Sequence, residues 1–257
     1  MKSNKIIATC ITALDLIYYM PSSSEADFLE AIQTPIPGMV EVTGTHSDID
    51  TLVDKYGKKR EADIDTNTLN VTIKGKSPRL SGSVTFPYSS KKNNLTGNSV
   101  SGLGDISGRV GIHGKRDNLY FLLMGETKLP TGDYNKERLS VGTGQTELSL
   151  GLRVTGLYDE GKRSMDFGVI GTHSTGDSSD KITIRATPGQ KFGDIRVGLE
   201  GIGNYALDSG IIGIKIGGLL KYEAKEWNIT GYLGKDIYSR NTSQGSQYGL
   251  IFRRIFR

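Results

Sequence analysis

Apolar residues fall at nearly every second position through most of the chain after Met39. The stretch from Thr146 to Tyr158, T-E-L-S-L-G-L-R-V-T-G-L-Y, shows the beat clearly, with Glu147, Ser149, Arg153 and Thr155 between the apolar positions. A two-residue period places alternate side chains on opposite faces of a strand, one greasy and one wet. No stretch after the N-terminus carries a helical beat of three to four. The pattern predicts an all-β chain with strands at about Met39 to Gly44, Asn67 to Gly75, Arg79 to Tyr88, Leu103 to Lys115, Asn118 to Leu129 and Thr146 to Tyr158. Further strands are expected at Ser164 to Ser174, Lys181 to Ala186, Asp194 to Tyr205, Ile211 to Tyr222, Trp227 to Ile237 and Gln247 to Phe256. That makes about twelve, an even number suited to an up-and-down antiparallel barrel with both ends on one side of a membrane.

Connection lengths alternate. Lys76 to Pro78, Lys115 to Asp117 and Asp159 to Arg163 read as tight polar turns, whereas His46 to Asp65, Ser89 to Gly102 and Pro130 to Gln145 read as long polar loops. Short turns on one rim and long loops on the other describe a bacterial outer-membrane barrel.

Alternation alone does not say which face is wet. A soluble barrel of lipocalin type hides the apolar face, and a transmembrane barrel shows it to lipid. Three features select the membrane. Lys2 and Lys5 precede an apolar run from Ile6 to Met20 and a small-residue site at Ser24-Glu25-Ala26, so residues 1–26 read as a secretory signal and 27–257 as the barrel domain. The alternative for that segment is a buried or membrane-anchoring N-terminal helix. Composition is the second feature. With 34 glycines, 12 tyrosines and 36% hydrophobic residues, the chain has no run long enough for a membrane helix, and averaging lipid-facing with water-facing positions hides the apolar face. The third is the last strand, where Tyr248, Leu250, Phe252 and Phe256 share a face and the chain ends one residue later. A terminal alternating segment of this kind resembles the signal read by the barrel assembly machinery, although Arg257 follows the last aromatic and Arg254 shares its face.

A charge facing lipid at mid-depth costs about 2 to 4 kcal/mol, so the charged face belongs inside. This makes Arg79, Arg109, His113, Arg153, Arg196 and Lys215 candidates to line the lumen, with Glu147, Asp166 and Glu200 as their partners. Such charges either line a thin aqueous path or pair across a closed, non-conducting barrel.

Within this frame, Val84-Thr-Phe-Pro-Tyr88, Gly102-Leu-Gly-Asp105, Lys128-Leu-Pro-Thr-Gly-Asp133 and Gly142-Thr-Gly144 occur in an order and spacing that resemble the phenol-degradation meta-pathway family. A turn at Asp54 to Lys58 resembles that family's D-x-x-G-K, and the likeness covers the chain from about Thr34 to its end. The resemblance implies a transporter-like outer-membrane barrel that imports small compounds, aromatic ones among them.

Other chemistries find little support. The one cysteine, Cys10, lies in the signal-like segment, which excludes a disulfide framework, a thiolate metal site and a cysteine nucleophile from the mature chain. There is no G-x-G-x-x-G followed by a helix and no G-x-S-x-G, and His46, His113 and His173 are scattered. His173 and Ser174 cannot act as a pair, because strand neighbours point to opposite sides. Asp63-Ile-Asp65-Thr-Asn67 opens like a calcium loop but has Thr68 where glycine is needed and Lys74 where glutamate is needed, so it reads as a turn before a strand. Asp48, Asp50 and Asp54 read as a solvated acidic patch. No cofactor or metal is called for. The net charge of +4 arises from 32 basic and 28 acidic residues that are interleaved, which argues against a nucleic-acid partner. The partners expected are outer-membrane lipids and a small solute. The alternative function is a non-conducting structural or adhesive barrel whose long loops bind a partner.

Overall fold

A computed structural model of the protein describes residues 38–53, 58–76, 79–134, 139–175, 180–207, 209–224, 227–240 and 243–256. The signal-like segment lies outside these residues, as do the Asp54 to Gly57 part of the D-x-x-G-K turn and Arg257.

Thirteen strands form one sheet that closes on itself. They are β1 (Gly38–Val53), β2 (Lys59–Lys76), β3 (Leu80–Asn93), β4 (Ser99–Leu103), β5 (Ile106–Arg116), β6 (Leu119–Leu129) and β7 (Thr146–Tyr158), then β8 (Arg163–Thr175), β9 (Lys181–Phe192), β10 (Ile195–Ala206), β11 (Ile212–Glu223), β12 (Trp227–Arg240) and β13 (Ser243–Phe256). Neighbours in the chain pair antiparallel, and β1 pairs with β13 from Gly38 opposite Phe256 to Leu52 opposite Ser243. That seam closes the sheet, so backbone N–H and C=O groups find partners along a wall that lipid could not satisfy.

Thirteen elements make twelve crossings. β4 pairs only with the upper part of β3, Tyr88 to Lys92, while β5 pairs with its lower part, Leu80 to Thr85. β4 and β5 are thus one crossing interrupted at Gly104 and Asp105, both buried. The expected strand from Leu103 to Lys115 is broken at that point, where Asp105 turns its carboxylate to a loop.

Turns between strands are short on one rim. Three residues there hold positive φ without being glycine, namely Asp117 at 52°, Asp159 at 51° and Glu160 at 58°, and Gly161 and Gly193 also sit at positive φ. The other rim carries the segment 130–145. Short turns mark the periplasmic side, so both ends of the described chain are periplasmic.

Two long loops expected from composition are instead mostly strand. β1 and β2 pair up to Val53 opposite Lys59, so most of the interval His46 to Asp65 is a hairpin, bulged between Ile49 and Thr51. Most of the interval Ser89 to Gly102 likewise belongs to β3 and β4, leaving a turn at Asn94 to Asn98. Polar residues on both faces hid these strands, because above the bilayer neither face needs to be apolar. The short strand expected at Lys181 to Ala186 continues to Phe192.

The burial pattern is inverted relative to a soluble protein. Leu150 and Val110 are 66% and 67% exposed, while Arg253, Asp166 and Glu147 are at most 1% exposed. β8 repeats this contrast along its length, exposed at Met165, Phe167 and Val169 but buried at Ser164, Asp166 and Gly168. The outer wall carries aromatic residues near its periplasmic end, where Trp227 lies between Tyr222 at 5.5 Å and Phe252 at 6.5 Å between ring centroids. Such a girdle belongs at a membrane–water interface. The side chain of Phe256 lies outside the described ones.

Leu152→Arg, in the middle of β7 on the outer wall, is expected to lower unfolding stability by about 2 to 4 kcal/mol. Urea titration of the barrel refolded in liposomes measures the loss; an unchanged midpoint would contradict the assignment of that face to lipid.

Candidate functional site

The inward faces of the strands enclose the axis, and eight of the nine residues proposed from sequence to line it lie on those faces: Arg109, His113, Glu147, Arg153, Asp166, Arg196, Glu200 and Lys215. Arg79 does not join them. It sits exposed in the turn just before β3 at the periplasmic rim, because the strand begins one residue later than its alternation suggests.

Ladder register decides which charges meet. Thr155 opposite Asp166, with Arg153 two residues away on the same face, lets the guanidinium reach both carboxylate oxygens at 2.7 and 2.8 Å, while the Thr155 hydroxyl donates to the same carboxylate at 2.6 Å. Arg109 faces Glu126 directly across the β5–β6 ladder and donates from Nε at 2.7 Å and Nη2 at 2.6 Å. Arg185 pairs with Glu200, and the Lys215 ammonium lies 3.9 Å from Asp236 and donates to Gln247 Oε1 at 3.1 Å. Glu126, Arg185 and Asp236 were not singled out in the sequence, though each alternates inward on its strand.

At the extracellular ends of β6, β7 and β9, Glu147 lies between Lys128 at 3.1 Å and Lys181 at 3.5 Å. At the periplasmic ends of β1, β2 and β13, Glu41 accepts from Lys74 at 3.0 Å and from Arg253. Arg196 donates to Ser164 Oγ at 3.1 Å and stands 3.6 Å from Glu223, which Lys191 and Lys221 also contact. His113 meets Ser81 Oγ at 2.7 Å on the inner wall between β3 and β5. Between these polar groups lies an apolar patch of Tyr120, Leu157 and Leu122, also facing inward.

The quoted family motifs converge on the interruption of the fourth crossing. Asp105 accepts from the Gly132 N–H at 3.0 Å and from the Thr143 N–H and hydroxyl at 2.7 and 2.6 Å. Thr131 caps the other side, its hydroxyl donating to Gly104 O at 3.2 Å and accepting from the Ile106 N–H at 2.9 Å. Gly132 must be glycine, because a Cβ there would come within 2.8 Å of the Gly142 Cα and 2.9 Å of the Gly104 backbone. Val141 lies over Gly102 and Gly104, and so covers the edge of β4 that pairs with no strand among the described residues.

Outside the lumen, His46 lies in β1 rather than in a loop. Its Nδ1–H donates to Asn67 Oδ1 at 2.8 Å, and the ring packs on Tyr248 at 4.8 Å, above an outward groove of about 670 Å³ at Gly44, Leu69, Tyr88 and Leu250. Asp48, Asp63 and Asp65 gather higher on this wall with ligand oxygens within 4.8 Å of one another, and Asn94 donates to the last two. The Asp63 to Asn67 stretch is therefore strand rather than a turn. His173 is exposed and Ser174 buried, as alternation requires. The His173 ring contacts Asp180 at 2.9 Å. With the Ser174 N–H it holds that carboxyl below its ordinary pKa, so the contact is complete above the usual aspartate range and fades as pH falls through the lowered value.

A closed antiparallel barrel with an apolar outside and ion pairs around its axis is a β-barrel of the cell outer membrane. The chain belongs to the family described as "Putative MetA-pathway of phenol degradation", which matches residues 42–252. Its fold is similar to that of the COG4313 outer membrane channel from Pseudomonas putida F1, with 13% identity, a TM-score of 0.79, and coverage of 88% of this chain and 98% of that one. It is also similar to the β domain of the Bordetella autotransporter BrkA, with 10% identity, a TM-score of 0.57 and coverage of 86% and 100%. A mutant of the TodX monoaromatic hydrocarbon channel matches at 10% identity and a TM-score of 0.51, over 91% of this chain and 95% of that one. At these identities the likeness is one of fold. No match to the chain is found among curated proteins.

Two outcomes follow from the geometry. Asp166→Ala leaves the Arg153 guanidinium buried without its carboxylate and is expected to cost about 3 kcal/mol, read as a lower urea midpoint. Asp105→Ala removes charge-assisted bonds to Gly132 and Thr143. It is expected to speed proteolysis within 130–145 about tenfold with the barrel band still heat-modifiable; an unchanged rate would show that the loop is held by other contacts.

Proposed function

We propose that this barrel admits small solutes with an apolar body through a narrow, charge-lined lumen. The observation that carries the reading is the belt of inward-facing ion pairs, Arg109 with Glu126, Arg153 with Asp166 and Arg185 with Glu200, around the axis of a closed barrel. Twelve crossings leave little width beyond that filled by side chains, so passage is limited to small molecules. Paired charges of both signs, held by cross-strand register, keep water and polar groups near the axis at little net field. The patch of Tyr120, Leu122 and Leu157 gives an apolar body something to rest on. The likeness in fold to a channel for monoaromatic hydrocarbons is in keeping with this solute class.

Lys128 and Lys181 near the extracellular ends keep solutes hydrated on entry. Arg109, His113, Glu147, Arg153, Asp166, Arg196, Glu200 and Lys215, with Lys128, are proposed to line the path.

The refolded barrel in planar bilayers is expected to show steady openings, and Arg109→Gln is expected to change its ion preference by about twofold. Silence from a barrel shown to be folded by its heat-modifiable band would contradict the pore and favour a barrel whose extracellular loops bind a partner.

A further inference from the structure

The outer wall of the barrel is not uniform, and one groove interrupts it where apolar residues give way to polar ones. Ladder register lays the wall out in rows. Gly231, Leu250, Gly44, Leu69 and Tyr88 stand opposite one another across β12, β13, β1, β2 and β3, and all face outward. The next row on the same face is Leu233, Tyr248, His46, Asn67 and Ser90, and the row beyond it is Lys235, Ser246, Asp48, Asp65 and Lys92. The wall thus passes from apolar through mixed to charged within four residues of β1, from Gly44 to Asp48. Gly44 and Gly231 form the floor of the groove. A Cβ at Gly44 would meet nothing within 4 Å, and one at Gly231 would meet Leu250 Cδ2 at 3.8 Å and the Leu220 carbonyl at 4.0 Å. Leu69 and Leu250 rise exposed on either side of Gly44, leaving the furrow of about 670 Å³ between them and the two tyrosines.

The groove opens on the face that lipid covers, at the extracellular end of its apolar part, so whatever fills it is continuous with the membrane. Water in the furrow would leave its leucines hydrated beside hydrocarbon, which is unfavourable. The convex wall of another protein is too broad to reach a floor that lies between two leucine side chains. A single alkyl chain reaches it. Above the floor, Tyr88, Tyr248 and His46 set amphipathic rings at the depth where ester and sugar groups of a lipid lie. Lys235 and Lys92, both exposed, end the charged row and offer ammonium groups to phosphate, while Asp48 and Asp65 between them keep phosphate toward those ends.

We propose that this groove binds one acyl chain of a phosphorylated glycolipid of the outer leaflet, with the headgroup held between Lys92 and Lys235 and its hydroxyl and ester groups against His46, Asn67 and Ser90. The site is separate from the lumen and stands whether or not the barrel conducts. It straddles the seam, since Gly44 lies on β1 and Leu250 on β13, so a seated chain covers the pairing that closes the sheet. Lipid bound there favours the folded barrel over any state in which the seam is open.

Native mass spectrometry of the refolded barrel released from detergent, with lipid A as the probe, tests the site. One lipid A per barrel is expected to survive release. Gly44→Leu fills the floor and is expected to lower retention about tenfold; Gly231→Leu acts in the same way and serves if the first variant gives no heat-modifiable band. Lys92→Gln with Lys235→Gln is expected to lower retention of lipid A about fivefold while leaving that of an uncharged diacylglycerol unchanged. Retention that ignores both glycine substitutions overturns the groove as the site. Toluene held there in place of lipid A, or a dimer that Gly44→Leu dissolves, overturns the lipid as its occupant, and lysine substitutions without effect overturn the phosphorylated headgroup. Conductance plays no part in the readout, so each of these failures leaves the proposed pore standing.

Discussion

Hydrocarbon offers no hydrogen-bond partner, and that one fact organises this molecule. Each backbone N–H and C=O at membrane depth must be satisfied by another strand, so the sheet has to meet itself, and the pairing of β1 with β13 over the length of both strands is where it does so. Closure in turn divides every strand into a face that lipid sees and a face that it does not. Charges then have one place to go. The ion pairs of the lumen are a consequence of the same constraint that puts Leu150 and Val110 on the outside.

What the inside does with its charges is a matter of register. Arg109 reaches Glu126 because the β5–β6 ladder sets them opposite, and Arg153 reaches Asp166 because its ladder places them one diagonal apart. A carboxylate shared by cations from several strands is an arrangement that no single strand encodes. It emerges when the ends of β6, β7 and β9, or of β9, β10 and β11, are brought side by side. The loop latch at Asp105 follows a similar logic, since an interrupted crossing leaves polar backbone at Gly104, Ile106 and the Gly132 to Thr143 segment to be capped. One carboxylate and one hydroxyl supply the caps.

The pattern made the architecture legible wherever one face of a strand touches lipid. β7, β8, β10, β11 and β13 follow their two-residue beat closely, and the choice of the charged face as the inner one needed only the cost of a charge in hydrocarbon. Legibility failed where that cost is absent. Above the bilayer β1 and β2 carry polar residues on both sides, from His46 to Asp65, and a strand without an apolar face looks like a loop. The break at Gly104 and Asp105 was hidden for another reason, because alternation continues across it and its cause lies in a loop some 27 residues further on. Arg79 shares the parity of the lumen residues yet sits in a turn, and parity has no meaning once a strand has ended. Of the charge clusters, the sequence showed which residues point inward; it could not show that Glu126, Asp236 or Glu223 would be the ones they meet.

The account stands most directly on the phase of alternation, and spin labels placed one at a time along β7 from Leu148 to Arg153 test it. Replacing the one native cysteine, Cys10→Ser, leaves each introduced cysteine as the single labelling site. In liposomes, collisions with oxygen are expected to peak at Leu148, Leu150 and Leu152, and to be low at Ser149, Gly151 and Arg153, with the opposite trend for a water-soluble paramagnet wherever the lumen admits it. Oxygen peaking at Ser149, Gly151 and Arg153, or no alternation at all, would contradict an apolar wall against lipid and an ionic wall around the axis.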